Sequence, residues 1–170
     1  MKETILAQSG EKVIVSLNFP NNPTGYTPTT SEVPQIVEAL VEAADSGKKL
    51  VVLIDDAYFG LVFEDGVYTE SIFTQLCDVH PNILAVKLDG PTKEDYVWGF
   101  RVGFITFGVK DGTPELYQAL EAKCSGAIRG NISNAANPSQ SMLLEAYQAE
   151  SYAEEKAEKY AILKKRYQKI

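Results

Sequence analysis

The chain has 170 residues, 45% hydrophobic and 23% charged, with a formal net charge of −7. This is the composition of a globular protein large enough to bury a core, not of a disordered one. The acidic excess without a Lys/Arg cluster argues against nucleic acid as a partner, and the longest apolar run, residues 50–54, is far too short to cross a bilayer. Cys77 and Cys124 lack metal-ligand spacing and read as reduced thiols, so a cytoplasmic protein is expected. No apolar segment follows Met1-Lys2-Glu3-Thr4, so no signal peptide is expected. With His80 the one histidine, a zinc site or a Ser-His-Asp triad is not easily assembled. No metal is expected, and polar chemistry falls to lysine, tyrosine and carboxylates.

The first predicted element is a strand over 13–17. Helical spacing follows at Val33, Ile36, Val37, Leu40, Val41 and Ala44, after a Thr29-Thr30-Ser31 cap region with Glu32 behind it. Pro34 is compatible with that helix only in its first turn, and Gly47 marks its end. The continuously apolar residues 50–54 predict a strand buried on both faces. A shorter helix over 71–79, a strand over 83–86 and a strand over 102–107 come next. Alternating strands and helices predict an α/β sheet with crossover connections. The last third reads as helical: one helix over 114–125, breaks at Gly130-Asn131 and Asn137-Pro138, then one long segment from Ser139 onward. That segment reaches Lys169-Ile170 without a Gly or Pro stop, which predicts a truncated chain.

Four short motifs follow or precede the predicted strands. Asn18-Phe19-Pro20-Asn21-Asn22-Pro23-Thr24-Gly25 is a rigid turn that aims the Asn21 and Asn22 amides. Asp55-Asp56-Ala57-Tyr58 leaves the carboxyl end of the most apolar strand, where ligands of open α/β sheets collect. Which aspartate points inward is a question of register. Gly90-Pro91-Thr92-Lys93, followed by Glu94-Asp95, reads by itself as a solvated surface turn. Gly99-Phe100-Arg101-Val102-Gly103 sets an arginine between glycines, able to bind an anion bidentately or simply to project into solvent.

Taken together, in this order, the motifs resemble the class I/II aminotransferase family, fold-type I enzymes similar to aspartate aminotransferase. Asn22-Pro23-Thr24-Gly25, Asp55-x-Ala57-Tyr58, and Lys93 with Arg101 eight residues later match the family pattern, and the resemblance covers nearly the whole chain. It implies a three-layer αβα sandwich on a mostly parallel sheet, with residues 1–170 forming one partial domain, the central part of the large pyridoxal 5'-phosphate-binding domain. Lys93 would hold the cofactor as a Schiff base and, once released, move the substrate's proton. Asp55 would face the pyridine nitrogen, Tyr58 and Asn22 the phenolate oxygen, and Arg101 the phosphate with help from Thr92. Arg129, ahead of Ser133-Asn134, matches an arginine that crosses a homodimer interface to a dicarboxylic substrate; a cation at a helix end is the plainer reading.

The resemblance further implies amino-acid and 2-oxo-acid substrates. Gly90 stands where many relatives have a phosphate-binding serine, and Glu94-Asp95-Tyr96-Val97-Trp98 is more polar than the family's Gly-rich segment. The family's Gly-rich phosphate loop, ring-stacking aromatic and small domain have no counterpart among these residues. The chain alone is therefore expected to bind cofactor weakly, if at all, and not to transaminate. A lyase or decarboxylase of the same fold, or the effector domain of a transcription regulator, would share these motifs.

Overall fold

The computed structural model describes residues 1–169. A short helix α1 (Lys2–Leu6) precedes β1 (Lys12–Asn18), α2 (Glu32–Asp45), β2 (Lys49–Asp55), α3 (Phe73–Leu76) and β3 (Ile83–Asp89). Then come α4 (Pro91–Glu94), a 3₁₀ turn (Trp98–Phe100), β4 (Phe104–Gly108), α5 (Pro114–Asn131), α6 (Asn137–Gln148) and α7 (Tyr152–Tyr167). The four strands lie in chain order, β1 to β3 parallel and β4 antiparallel to β3. The α/β class and the mostly parallel sheet are as expected.

Alternation along the strands decides where the core sits. Val13, Val15 and Leu17 of β1 share a face with Leu50, Val52 and Ile54 of β2 and with Ile83 and Ala85 of β3. That face packs against Val33, Leu40, Ala43 and Ala44 of α2 and Leu76 of α3. On the other face Val51 and Leu53 are only half-buried, and Ile14 is 71% exposed. There α5 flanks the sheet beside β4, where Ile105 and Phe107 share an open cleft with Cys124 and Ile128. Burial of β2 on both faces is thus realised on one, because the described helices cover the second face only in part.

Local chemistry explains the element ends. Thr29, not the adjacent Ser31, makes the cap contact at α2: its N–H and hydroxyl donate to Glu32 Oε2 at 2.7 and 2.8 Å. Pro34 falls in the first turn of α2. The helix expected over 71–79 contracts to the four residues of α3. The last strand starts at Phe104 because Arg101 takes a left-handed conformation (φ 54°), turning the chain first. Gly130 is absorbed into the end of α5, and the long terminal segment divides into α6 and α7 where Ala149 turns extended (ψ 135°). α7 is tied back to the body: the Tyr160 and Tyr167 hydroxyls donate to Val62 O and Glu64 Oε1, and their rings lie 5.3 and 5.5 Å from that of Phe63. Among the described residues no helix is long and apolar enough to cross a membrane.

Candidate active site

The three parallel strands all end at one edge of the sheet, at Asn18, Asp55 and Asp89. β4, being antiparallel, starts there at Phe104, so Arg101 arrives at the same edge. The four motifs are thereby gathered from positions far apart in the chain.

Asn18 fastens the first loop. Its Nδ2 donates to Asp55 O at 3.1 Å, while its Oδ1 accepts from Asn21 Nδ2 and from the Asn22 N–H at 3.1 and 2.9 Å. Gly25 closes the turn with φ +74°, which a side chain would disfavour. So held, Asn22 Nδ2 donates to the Tyr58 hydroxyl at 3.3 Å. The Lys93 Nζ lies 4.7 Å from the centre of the Tyr58 ring. Three of the singled-out residues therefore meet directly.

Strand register separates the two aspartates. Leu50, Val52 and Ile54 face the helices, so Asp55 turns to the opposite face and lines a cleft with Thr92, Lys93 and Arg101. Its Oδ1 accepts from the Ala57 N–H at 3.1 Å. Asp56 turns the other way and is 4% exposed. Ser71 Oγ donates to Asp56 Oδ2 at 2.5 Å, and Lys87 Nζ, paired with Asp89, lies 4.0 Å from the same oxygen. Burial above all, with the like charges of Asp89 and Asp55, pushes the Asp56 carboxyl up to about 6 against the opposing pull of Ser71 and Lys87. The sequence reading passed over this Asp56–Lys87–Asp89 group. Its signal is two charged residues two apart in an otherwise apolar strand, hence on one face.

Lys93 sits in the four-residue turn α4, which starts with the buried Pro91. Gly90 before it has a steric reason to lack a side chain: a Cβ there would lie 2.8 Å from Val102 O and 3.0 Å from Gly103 Cα. The departure from serine thus reflects close passage of two backbone segments. Gly90→Ala is expected to lower unfolding free energy by about 1–3 kcal/mol, as overpacking does, measured by urea unfolding. An unchanged midpoint would show that the two segments can part without cost.

The cleft has a volume of about 450 Å³ and is lined by Asp55, Thr92, Lys93, Arg101, Leu88 and Ile105, among others. Among the described residues, Asp55, Lys93 and Arg101 take part in no ion pair. A carboxylate, an amine and a guanidinium left without counter-ions in one cleft form a donor set for a ligand bearing both charges. Pyridoxal phosphate has that chemistry: a carbonyl for the amine, a basic ring nitrogen for the carboxylate and a phosphate for the guanidinium. The residues present fit the group.

Arg129 is not brought to this cleft. It closes α5, donates to Ser133 Oγ at 3.0 Å, and lines the neighbouring cleft that shares Ile105 with the first.

Solved structures share this arrangement of elements. An aminotransferase from Anaerococcus prevotii superposes with a TM-score of 0.79 at 24% identity, covering 96% of this chain and 40% of that one. An aromatic-amino-acid aminotransferase from Burkholderia pseudomallei, covalently bound to pyridoxal phosphate, gives 0.73 at 20% identity, covering 98% and 39%. At such identities the likeness defines the fold. The family model described as aminotransferase class I and II matches residues 1–170, and the chain belongs to that family, whose cofactor is pyridoxal 5'-phosphate. A tyrosine aminotransferase of Caenorhabditis elegans is 30% identical over 130 residues, 72% of this chain and 25% of that protein. A probable N-acetyl-LL-diaminopimelate aminotransferase of Bacillus subtilis (strain 168) is 30% identical over 132 residues, 78% of this chain and 28% of that protein. The chain spans about a quarter of the length of these curated relatives.

Proposed function

We propose that these residues form the cofactor-holding part of a longer aminotransferase that moves amino groups between amino acids and 2-oxo acids. The observation that carries the reading is the meeting of Lys93, Tyr58 and Asn22 beside a cleft whose Asp55, Lys93 and Arg101 take part in no ion pair among the described residues. Lys93 would hold the cofactor covalently. Asp55 would keep the ring nitrogen protonated, Tyr58 and Asn22 would donate to the phenolate oxygen, and Arg101 with Thr92 would hold the phosphate. Bound pyridoxal phosphate supplies an electron sink conjugated to the substrate's α-carbon. The Lys93 amine then takes the α-carbon proton, and Tyr58 beneath it restricts where that amine travels.

Arg129 would serve a second copy in a homodimer, offering its guanidinium to an acidic substrate's side-chain carboxylate. Support comes from its position outside the Lys93 cleft and on the adjoining surface. In the intact parent, 2-oxo-acid-dependent amino transfer is the expected activity. Arg129→Ala is expected to lower kcat/KM for aspartate relative to alanine by about thirtyfold or more, the range for a lost charge-assisted contact. Equal losses for both donors would remove Arg129 from substrate recognition, and elimination without amino transfer would remove the aminotransferase reading.

A further inference from the structure

The acidic pair that follows Lys93 is not the solvated turn its sequence suggests. The Asp95 side chain is 10% exposed and accepts from the Tyr147 hydroxyl at 2.8 Å and the Tyr152 hydroxyl at 2.7 Å. Lys156 Nζ donates to Glu94 Oε1 at 2.6 Å and to the Tyr152 hydroxyl at 3.2 Å, and lies 3.2 Å from Asp95 Oδ1. The Tyr147 and Tyr152 rings stack edge to face, 5.2 Å apart. Tyr152 and Lys156, four residues apart on α7, present one helix face, and Tyr147 closes the group from α6. Burial alone would lower the Lys156 proton affinity, but Glu94, Tyr152 and Asp95 together raise it, so the ammonium persists.

Such ordering of long side chains is costly for two residues that water would solvate well. A four-residue helix, for its part, does not hold itself together. α4 therefore needs anchors from elsewhere. Its front end is wedged by Gly90 and Pro91 against Val102-Gly103. At its far end the Asp95 N–H donates to Pro91 O at 2.9 Å, and Tyr96 turns the chain at φ 61°. The side chains of Glu94 and Asp95 are the remaining handle, and helices 52–62 residues further along the chain grip it.

We propose that Lys156, with Tyr147 and Tyr152, is a positioning clamp that grips Glu94 and Asp95 and so holds the Lys93 amine over Tyr58, ready for the cofactor's carbonyl. The proposal rests on the reading of Lys93 as the cofactor lysine. Lys156 touches no reacting atom in it; the residue acts through α4.

The test exposes the chain to excess pyridoxal phosphate, traps adducts with borohydride and locates them by peptide mass spectrometry. Trapping accumulates transient adducts, so weak affinity suffices, and Lys48, which donates to Gln8 O and Gly10 O far from the cleft, is an internal reference. The wild-type chain is expected to label at Lys93 in preference to Lys48. Lys156→Met should cut that preference about tenfold, the scale of coupling between contacting residues. Lys156→Arg, which keeps the charge, should restore most of it. Tyr152→Phe removes one oxygen and should cause a smaller loss in a chain whose circular dichroism is unchanged. Preference retained in both folded Lys156→Met and Tyr152→Phe would overturn the clamp and leave the cofactor lysine standing. Absence of preference in the wild type would instead overturn the cofactor reading, and the clamp with it.

Discussion

Lys93→Ala is expected to abolish covalent capture of pyridoxal phosphate at position 93 and to slow amino transfer by the parent protein by roughly three or more orders of magnitude, the joint scale of a lost covalent anchor and a lost general base. Among the described residues no other lysine lines the cleft. Lys87, the nearest candidate along the chain, turns to the other face of the sheet and is committed to Asp89 and Asp56. Lys93→Arg tests the alternative that a positive charge is all the site requires. The guanidinium stays protonated and cannot form the covalent link, so the loss should match that of alanine. Stability should move little, because the contact with the Tyr58 ring contributes about 0.5–1 kcal/mol. Absorbance of the bound cofactor, mass spectrometry of the trapped adduct and a thermal melt together distinguish lost chemistry from lost fold. Substantial turnover in either variant would show that another group carries the chemistry.

Asp56→Asn should alter how stability depends on pH. The folded carboxyl titrates near 6, above the ordinary 3.8, chiefly because it is buried. A group whose folded value is raised contributes stability that is full below the unfolded value and disappears as pH rises through the folded one. The native state therefore gains from the Asp56 proton below about pH 4 and has lost that gain by about pH 7. The gap between 3.8 and about 6 corresponds to about 3 kcal/mol. Asparagine keeps an oxygen for Ser71 and carries no charge to desolvate, and Lys87 retains Asp89. Relative to wild type, the variant should gain up to about 3 kcal/mol between pH 4 and pH 8. Urea unfolding of both proteins at the two pH values gives this difference, because titrating groups away from Asp56 and its partners Lys87, Asp89 and Asp55 cancel. Parallel profiles would mean that Asp56 titrates in the folded chain as it does in water.

The parts of the fold legible in the sequence are those written in periodicity. β1 to β3 stand out as short apolar runs bounded by turn residues, and α2 because its apolar residues recur three and four apart, as burial of one helix face requires. Pro91-Thr92-Lys93-Glu94 offers no such period, since a single turn is too short to show one. The split between α6 and α7 is equally silent, with neither Gly nor Pro at Ala149-Glu150-Ser151. Within the candidate site, the convergence of Asn22, Asp55, Tyr58, Thr92, Lys93 and Arg101 at one sheet edge was readable because each stands in a short motif next to a strand, where chain topology brings loops together. Register was needed to tell Asp55 from Asp56. The partners of Glu94 and Asp95 were out of reach: Tyr147, Tyr152 and Lys156 belong to a distant helical segment, and nothing local marks them as a pair's other half.

Adjacent positions at the end of β2, Asp55 and Asp56, answer to different pressures. Asp55, Tyr58, Asn22 and Arg101 border open space, where exchange of a side chain typically changes stability by about half a kcal/mol or less. Asp56 is packed among Ser71, Lys87 and Asp89, where each partner's charge depends on the others. A change at one of the first four positions therefore acts on what the cleft holds more than on the fold. A change at Asp56 alters the setting of Lys87 and Asp89, so these three positions should tend to vary together.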